Sequence, residues 1–356
     1  MERSETEIVA SAPAKVILAG GKAVNYGFPA LATAVEPRAY CALRPLDRDR
    51  YAFVFNNRVE NGDMARLKEF RKEIDSLRAE KSYDAISKIA CEDFFAPVRY
   101  VLSFVHQRTG RIGYHLSWRS EIPARSGLGS GAAASVSMAL VTCQASGYNP
   151  EPLDIAWLAW QGDVIAHGGM GTGLDSGASA LGGIVRYSLR EGPKRIDSKV
   201  PLRLVIGDTL LRSSTAISNT SSRNWLDEHP ARIHLMAEMG MLVEQAQEAL
   251  SRGDLVSLGH SMNLCHLIKE KIGMSLPKIE TMVDAALEAG ALGAKISGKG
   301  SGGIIIALAA PGSEEEIAAA INAAGGRGII AKVGVEGAHI EDPMKPAGVD
   351  KDEVRK

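Results

Sequence analysis

Pro123-Ala-Arg-Ser-Gly-Leu-Gly-Ser-Gly-Ala-Ala-Ala134 is a glycine-rich run between two predicted elements of secondary structure. A strand is predicted before it, over Gly113–Ser120, and a helix rich in small residues after it, from about Ala132 to Ala145. Glycines in a strand-to-helix turn let backbone N–H groups converge, and the helix N-terminus adds about half a positive charge. The turn is therefore a candidate phosphate-binding loop. A tight turn whose glycines serve backbone geometry alone is the alternative.

Two further segments combine glycine with hydroxyl and charged residues. Residues 11–27 read SAPAKVILAGGKAVNYG, and residues 295–303 read KISGKGSGG. The 123–134 stretch itself is neither a Walker A sequence nor a GxGxxG fingerprint, so no common nucleotide motif explains it. The combination and order of the three segments therefore carry more information than any one of them.

The chain has 356 residues, which favours two domains at about 100–200 residues each. The sequence turns polar around residues 191–199, where we place the boundary. The predicted organisation is a first domain over 1–195, a second over 196–345 and a charged tail over 346–356. The second domain mixes predicted strands and helices, which is typical of an α+β fold. The predicted elements after residue 199 are strands over 202–208, 294–297, 303–309 and 328–335 and helices over 230–252, 254–272, 277–289 and 313–324.

Composition excludes several classes of protein. The net charge of -1 gives no basic field for nucleic acid or anionic lipid. The four cysteines are far apart and favour neither a zinc site nor a disulfide framework. The first residues are charged and lack the apolar core of a signal peptide. We expect a cytoplasmic protein with no nucleic-acid or membrane partner; the oligomeric state stays open, a homodimer being one alternative.

The three glycine-rich segments, in this order, resemble the motifs of the GHMP superfamily of small-molecule kinases. Residues 161–167 (QGDVIAH), 171–175 (GTGLD) and Gly182–Gly183 further resemble the mevalonate kinase family. The resemblance implies an α+β, two-domain GHMP kinase fold. The N-terminal domain would be like ribosomal protein S5 domain 2 and the C-terminal domain ferredoxin-like. It also implies ATP and Mg²⁺ in the cleft between the domains and the 5-hydroxyl of mevalonate as acceptor.

The resemblance assigns the catalytic roles to two residues. Asp175 matches the catalytic aspartate, which would accept the proton of the substrate hydroxyl. Lys15 matches the lysine beside it, whose charge would stabilise the developing alkoxide. The alternatives are an aspartate that caps a helix and an ordinary surface lysine.

The same resemblance assigns residues to the nucleotide and the metal. Asp163 stands where the family has a magnesium-binding glutamate, and Ser130 would supply a hydroxyl, since Gly131 replaces the usual metal-binding serine. An exposed helix carboxylate is the alternative for Asp163. His167 is interpreted as structural. The C-terminal loop residues are Gly298, Gly300, Ser301 and Gly302. The ATP-binding residues are Pro123, Ser126, Gly127, Leu128, Gly129, Ser130, Gly131 and Ala132.

The acceptor would lie against Lys22, Tyr26, Thr172 and Thr215. Mevalonate kinases read GEH where this chain has Gly20-Gly21-Lys22, and a lysine there could clamp a carboxylate or phosphate. A phosphomevalonate kinase, a sugar or sugar-phosphate kinase and a non-catalytic ligand-binding relative remain the alternatives. Positive charge collected at the acceptor end would favour a phosphorylated substrate; the candidates are Lys22, Arg125, Arg186 and Arg212.

Overall fold

The computed structural model describes residues 7–46, 49–110, 113–211, 232–298, 300 and 302–342. These residues form two sheets. The strands of the larger sheet are β1 Ile8–Ala19, β2 Ala30–Leu46, β3 Arg50–Phe55, β4 Arg58–Asp63, β5 Gly113–Ser120, β6 Ile184–Ser188, β7 Gly192–Ile196 and β12 His339–Ile340. The strands of the smaller sheet are β8 Leu204–Asp208, β9 Gly293–Ser297, β10 Ile304–Leu308 and β11 Arg327–Ala331.

Helices cover both sheets. A short 3-10 turn over Lys22–Tyr26 follows β1. The helices of the first half are α1 Met64–Ala79, α2 Tyr83–Glu92, α3 Ala96–Thr109, α4 Ser130–Ala145, α5 Pro152–Ala166 and α6 Leu174–Leu181. Those of the second half are α7 Ile233–Arg252, α8 Leu255–Lys271, α9 Pro277–Glu288 and α10 Glu314–Ala323.

The larger sheet has the order β12-β1-β2-β5-β3-β4, and β6 pairs with β2 and β7. Strand β1 is buried from Ala10 to Ala19, and its sequence there is mainly apolar, with Lys15 as its one charged residue. Helix α4 packs on β1 and β2, and its small residues allow a close approach. This packing places the N-terminus of α4 over the end of β1.

The smaller sheet is antiparallel, with the order β11-β8-β10-β9. Numbered within the domain, this is the 4-1-3-2 order of a ferredoxin-like unit, which confirms the predicted α+β class. Its own core is formed by apolar residues of the sheet and of α9 and α10, including Val205, Ile296, Ile305 and Ile317. Within the described ranges, no helix is long and apolar enough to cross a membrane.

The two halves of the chain meet at β1. Helices α7 and α8 of the second half both pack against it. Strand β7 ends at Ile196, next to the expected domain boundary, and still belongs to the larger sheet. Strand β12 returns to the same sheet, where Ala10 faces Ile340 and Ser11 faces His339. Elements from both ends of the chain therefore surround β1, which carries Lys15.

Candidate active site

A cavity of about 220 Å³ opens where β1, α4, α6 and the β9–β10 turn converge. Residues from the three glycine-rich segments line it together, although they lie far apart in the sequence. The lining includes Lys15, Ile17, Lys22, Asn25, Arg125, Gly127, Gly129, Ser130, Gly131, Ala132, Asp163, His167, Thr172, Asp175, Met274, Ser297, Gly298, Gly302 and Gly303.

Lys15 is buried and held on three sides. Its backbone N–H donates to the carbonyl of Leu128 at 2.9 Å. Its Nζ donates to the carbonyl of Gly127 at 3.2 Å and lies 3.1 Å from Oδ1 of Asp175. A Cβ at Gly129 would stand 2.9 Å from Cε of Lys15, so the loop can pack on the lysine only because residue 129 has no side chain.

Asp175 is the second residue of α6, whose N-cap is Gly173 at a φ of +76°. The side chain of Asp175 is 23% exposed and that of Lys15 is 4% exposed, so the carboxylate faces the cavity with the ammonium behind it. A carboxylate in that position can accept a proton from a hydroxyl bound in the cavity.

Asp163, on α5, is buried beside this pair. Burial, followed by the charge of Asp175, raises the pKa of Asp163 to about 7. Its Oδ2 is buried and has no hydrogen-bond partner among the residues that the structure describes. Gly171 lets the following turn lie directly on Asp163, because a Cβ there would stand 2.4 Å from the Asp163 carbonyl carbon. A buried carboxylate oxygen that lacks a partner fits a cation in the cavity.

The donor set also fits Mg²⁺. Ser130 lines the same cavity as Asp163 and offers a hydroxyl. In the part of the chain that the structure describes, no three His, Cys, Asp or Glu side chains form a metal cluster. Mg²⁺ commonly keeps several waters and binds through one or two carboxylates plus substrate phosphates, so it needs no such cluster.

The 123–131 loop divides into residues that line the cavity and residues that shape the turn. Ser126 is 1% exposed; its hydroxyl donates to the carbonyl of Pro123 at 2.7 Å and accepts from the N–H of Leu128 at 3.4 Å. Leu128 is buried, and Pro123 faces a separate groove. The cavity wall itself is formed by Gly127, Gly129, Ser130, Gly131 and Ala132. Helix α4 begins at Ser130, two residues before the predicted start, so its N-terminus points into the cavity.

The structure separates the predicted acceptor residues. Lys22 and Thr172 line the cavity. Tyr26 packs against the main hydrophobic core instead, and it is not among the residues that line the cavity. Thr215 lies outside the described residues, so its position stays a prediction.

Two of the candidate arginines have defined positions. Arg125 lines the cavity at a left-handed backbone conformation, φ +56°. Arg186 binds Glu191 at 2.8 Å and Glu244 at 2.7 Å, which neutralises its charge outside the cavity. Arg212 lies outside the described residues.

The third glycine-rich segment closes the cavity from the second half of the chain. Gly298 and Gly302 line it, whereas Gly300 is packed so tightly that a Cβ would stand 1.9 Å from the carbonyl oxygen of Met274. The Ser297 hydroxyl accepts the backbone N–H of Ile17 at 2.9 Å, which ties this segment to β1. Ser301 and Lys299 lie outside the described residues.

Sequence reasoning missed several residues of the site. Asn25 and Ser297 line the cavity and stand within glycine-rich segments, which was the available signal; Met274 also lines the cavity but lies outside all three segments. His167 lies against the cavity while its Nδ1 is 2.8 Å from the carbonyl oxygen of Asp163, so it also supports the end of α5.

Comparison with known proteins agrees with this geometry. The GHMP kinases N terminal domain matches residues 97–183, and the GHMP kinases C terminal family matches residues 246–327. A curated relative from Pyrococcus horikoshii is 33% identical over 342 residues, covering 94% of this chain and 98% of the relative. The chain therefore belongs to the GHMP kinases, enzymes built for ATP-dependent phosphorylation of an alcohol.

Within that family, the Pyrococcus horikoshii relative is named mevalonate kinase. The solved mevalonate kinase of Methanococcus jannaschii superposes with a TM-score of 0.74 at 18% identity, covering 93% of this chain and 99% of that one. The galactokinase of Lactococcus lactis, complexed with galactose, superposes with a TM-score of 0.75 at 16% identity, covering 94% of this chain and 95% of that one. These two structures share the fold equally well, so the fold does not select the acceptor.

Proposed function

We propose that this chain is a mevalonate kinase, which transfers the γ-phosphoryl group of ATP to the 5-hydroxyl of mevalonate. The observation that carries the proposal is the Lys15–Asp175 pair, 3.1 Å apart, facing a cavity walled by glycine-rich backbone. The extended similarity to a relative named mevalonate kinase supports this acceptor over others.

The arrangement suits in-line phosphoryl transfer, which depends on positioning and charge stabilisation. The acceptor oxygen forms a bond to the γ-phosphorus as the bond from that phosphorus to the bridging oxygen of ADP breaks. Asp175 accepts the hydroxyl proton, and the Lys15 ammonium stabilises the negative charge on the attacking oxygen. Backbone N–H groups at the start of α4 hold the phosphates. Mg²⁺ held by Asp163 and Ser130 would neutralise phosphate charge.

The acceptor end carries positive charge from Lys22 and Arg125, both of which line the cavity. Mevalonate carries one carboxylate, whose charge would pair with the ammonium group of Lys22. Phosphomevalonate is the second candidate, because its additional phosphate would also pair with Arg125. A cytoplasmic location and a homodimer stay predictions from the sequence.

A coupled ADP-release assay with a panel of acceptors tests the proposal. The panel comprises mevalonate, mevalonate 5-phosphate, galactose, homoserine and a heptose phosphate. We expect kcat/KM for mevalonate to exceed the others by about 100-fold, because the site's polar groups would be left unpaired by the wrong acceptor. Higher turnover of any other acceptor contradicts the mevalonate assignment. Nucleotide binding without turnover of any acceptor would favour a non-catalytic relative.

A variant sharpens the same assay. Lys22→Met should raise KM for mevalonate about 10-fold with a smaller change in kcat, because it removes a charge that binds the acceptor before and during transfer. Lys332→Met is the matched control: Lys332 is exposed, pairs with Glu36 and lies outside the cavity.

A further inference from the structure

Two fully buried lysines lie at the third glycine-rich segment: Lys295 begins it, and Lys269 packs behind it. Lys269 on α8 and Lys295 on β9 each have 0% exposure. The Nζ of Lys269 donates to the carbonyl of Gly298 at 2.7 Å, and that of Lys295 donates to the carbonyl of Ile17 at 2.9 Å. Both ammonium groups also approach the Ile296 carbonyl oxygen, at 3.5 and 2.7 Å. Both lysines thus bind the backbone carbonyl of Ile296, and each binds one further carbonyl.

The surroundings of the two lysines are mostly cationic. Within the described ranges, neither lysine forms an ion pair with a carboxylate. The groups facing Lys269 are the cations Lys295, Lys15 and Lys22, with the thiol of Cys265 and the imidazole of His266 on its own helix. Lys295 faces Cys265 and Lys15 as well as Lys269. Uncompensated buried charge is unfavourable, and an apolar side chain of similar volume would be more stable at either position.

Burial sets the protonation of both groups. It lowers the pKa of Lys295 to about 8. It lowers the pKa of Lys269 well below its ordinary range, and the charge of Lys295 acts in the same direction. A negative charge placed nearby would have the opposite effect and favour the protonated forms.

The cavity is where such a charge can arrive. Gly298 and Ile17, whose carbonyls accept these bonds, both line it. Each ammonium group is therefore hydrogen-bonded to the carbonyl oxygen of a residue that lines the cavity. Ile17 belongs to β1 and Gly298 to the β9–β10 turn, so Lys295 joins β1 to the third glycine-rich segment, while Lys269 holds that segment from α8.

We propose that Lys269 and Lys295 are positioning residues that hold the third glycine-rich segment and β1 in register for the phosphates of the nucleotide, whose negative charge offsets their own. The inference rests on the proposed function in one respect, namely that the cavity binds a nucleotide triphosphate. It does not depend on which alcohol is phosphorylated.

The sign of the pH dependence follows. The nucleotide binds the protonated form of the lysines more tightly, so its binding takes up protons. As pH rises through about 8, the pKa of Lys295, the fraction carrying the charge falls and the dissociation constant for the nucleotide increases.

Calorimetry with a non-hydrolysable ATP analogue and Mg²⁺, without acceptor, measures this from pH 6.5 to 9.5. We expect Lys295→Met to weaken binding about 10-fold at pH 7 and to flatten the pH dependence, with kcat at saturating ATP within about threefold of wild type. Lys295→Gln keeps a donor for the Ile17 carbonyl without the charge, so it should restore part of the affinity and none of the pH dependence.

Lys278→Met is the matched control. Lys278 also donates to two backbone carbonyls, of Ala324 at 3.2 Å and Gly325 at 2.7 Å, but it lies outside the cavity. The dissociation constant of the Lys278→Met protein for the ATP analogue, and its pH profile, should equal those of the wild-type protein. Lys269→Met should weaken binding by a similar factor but keep a pH dependence, because Lys295 remains, and it serves if Lys295→Met does not fold.

An unchanged dissociation constant in folded Lys269→Met and Lys295→Met proteins, or an unchanged pH slope in folded Lys295→Met, would overturn the inference. So would a loss confined to kcat. Wild-type protein that binds the nucleotide but does not phosphorylate mevalonate overturns the acceptor assignment and leaves this inference standing.

Discussion

The two glycine-rich loops that face the cavity acquire positive character in different ways. The 123–131 loop leads from β5 into α4, so converging N–H groups and the helix dipole face the cavity. The 298–303 segment joins β9 to β10 and is followed by no helix; two buried ammonium groups lie behind it instead. Both loops are rich in glycine and both can face an anion. In the first loop the positive character comes from backbone dipoles, and in the second it comes from side-chain charge.

The difference has a physical consequence. Backbone dipoles do not titrate, so the first loop should act alike at every pH at which the fold persists. The second loop depends in part on Lys295, whose protonation changes as the pH rises through about 8, because burial lowers its pKa to that value. Variants that disturb one loop at a time separate these contributions.

The largest effect should come from a change that touches neither loop. Asp175→Asn should lower kcat by about 10³-fold, since the proton acceptor is lost, while nucleotide affinity stays within about threefold of wild type. Steady-state kinetics and calorimetry measure both. Asp154→Asn, a surface change on α5 at a residue paired with Arg108, is the control. Full activity of Asp175→Asn would reject the catalytic role.

Gly129→Ala breaks the first loop. The new Cβ would meet Cε of Lys15 at 2.9 Å at a backbone φ of +77°, so Lys15 must move away from Asp175. We expect kcat to fall about 30-fold, because a small misplacement of a catalytic group is costly. Gly147→Ala has the same backbone cost, φ +73°, with open space around its Cβ, and should leave kcat unchanged. Equal kinetics for the two variants would show that Lys15 is not displaced.

Gly300→Ala breaks the second loop. Its Cβ would lie 1.9 Å from the carbonyl oxygen of Met274, so the segment must shift. The expected result is an approximately 10-fold higher KM for ATP with a smaller change in kcat, since the segment binds the nucleotide rather than the reacting hydroxyl. Gly312→Ala, at φ +89° with no atom nearby, controls for backbone strain. A change in kcat alone would place this loop in the chemistry.

Gly131→Ser should have the smallest effect. A Cβ at residue 131 would meet nothing within 4 Å, so a side chain fits at the exposed start of α4. The added hydroxyl should lower the Mg²⁺ concentration for half-maximal activity about threefold and leave kcat nearly constant. Titration with Mg²⁺ measures it, and Gly131→Ala supplies the side chain without the hydroxyl. Identical Mg²⁺ curves for all three proteins would contradict a metal near residue 131.

The sequence predicted the α+β fold and the family correctly. The motifs can be recognised from their residues and their order along the chain, without knowledge of how the segments pack together. The sequence also named Lys15 and Asp175 together, which the structure places 3.1 Å apart. Their catalytic roles stay predictions. Gly127, Gly129 and Lys22 were likewise assigned to the site and line the cavity.

The rest depends on packing between distant segments. Lys269 stands beside Glu270 and Lys271, a charged run typical of an exposed helix end, yet it is fully buried. Tyr26 belongs to a motif, but the direction of its side chain depends on the short turn over Lys22–Tyr26 and not on the motif. Strands β7 and β12 are short and polar, so they were not predicted; only their pairing with β6 and β1 makes them strands.

The return of β12 to β1 has a consequence for how this protein can be synthesised and divided. The outer edge of β1 is covered by residues near position 340, and Val35 and Gly182 also pair with residues 333 and 336. These partners leave the ribosome more than 300 residues after β1, so the edge of β1 stays open while the intervening chain is made, and open strand edges invite misassociation. The first 195 residues expressed alone would therefore aggregate, and adding a peptide that spans residues 332–342 should reduce that aggregation.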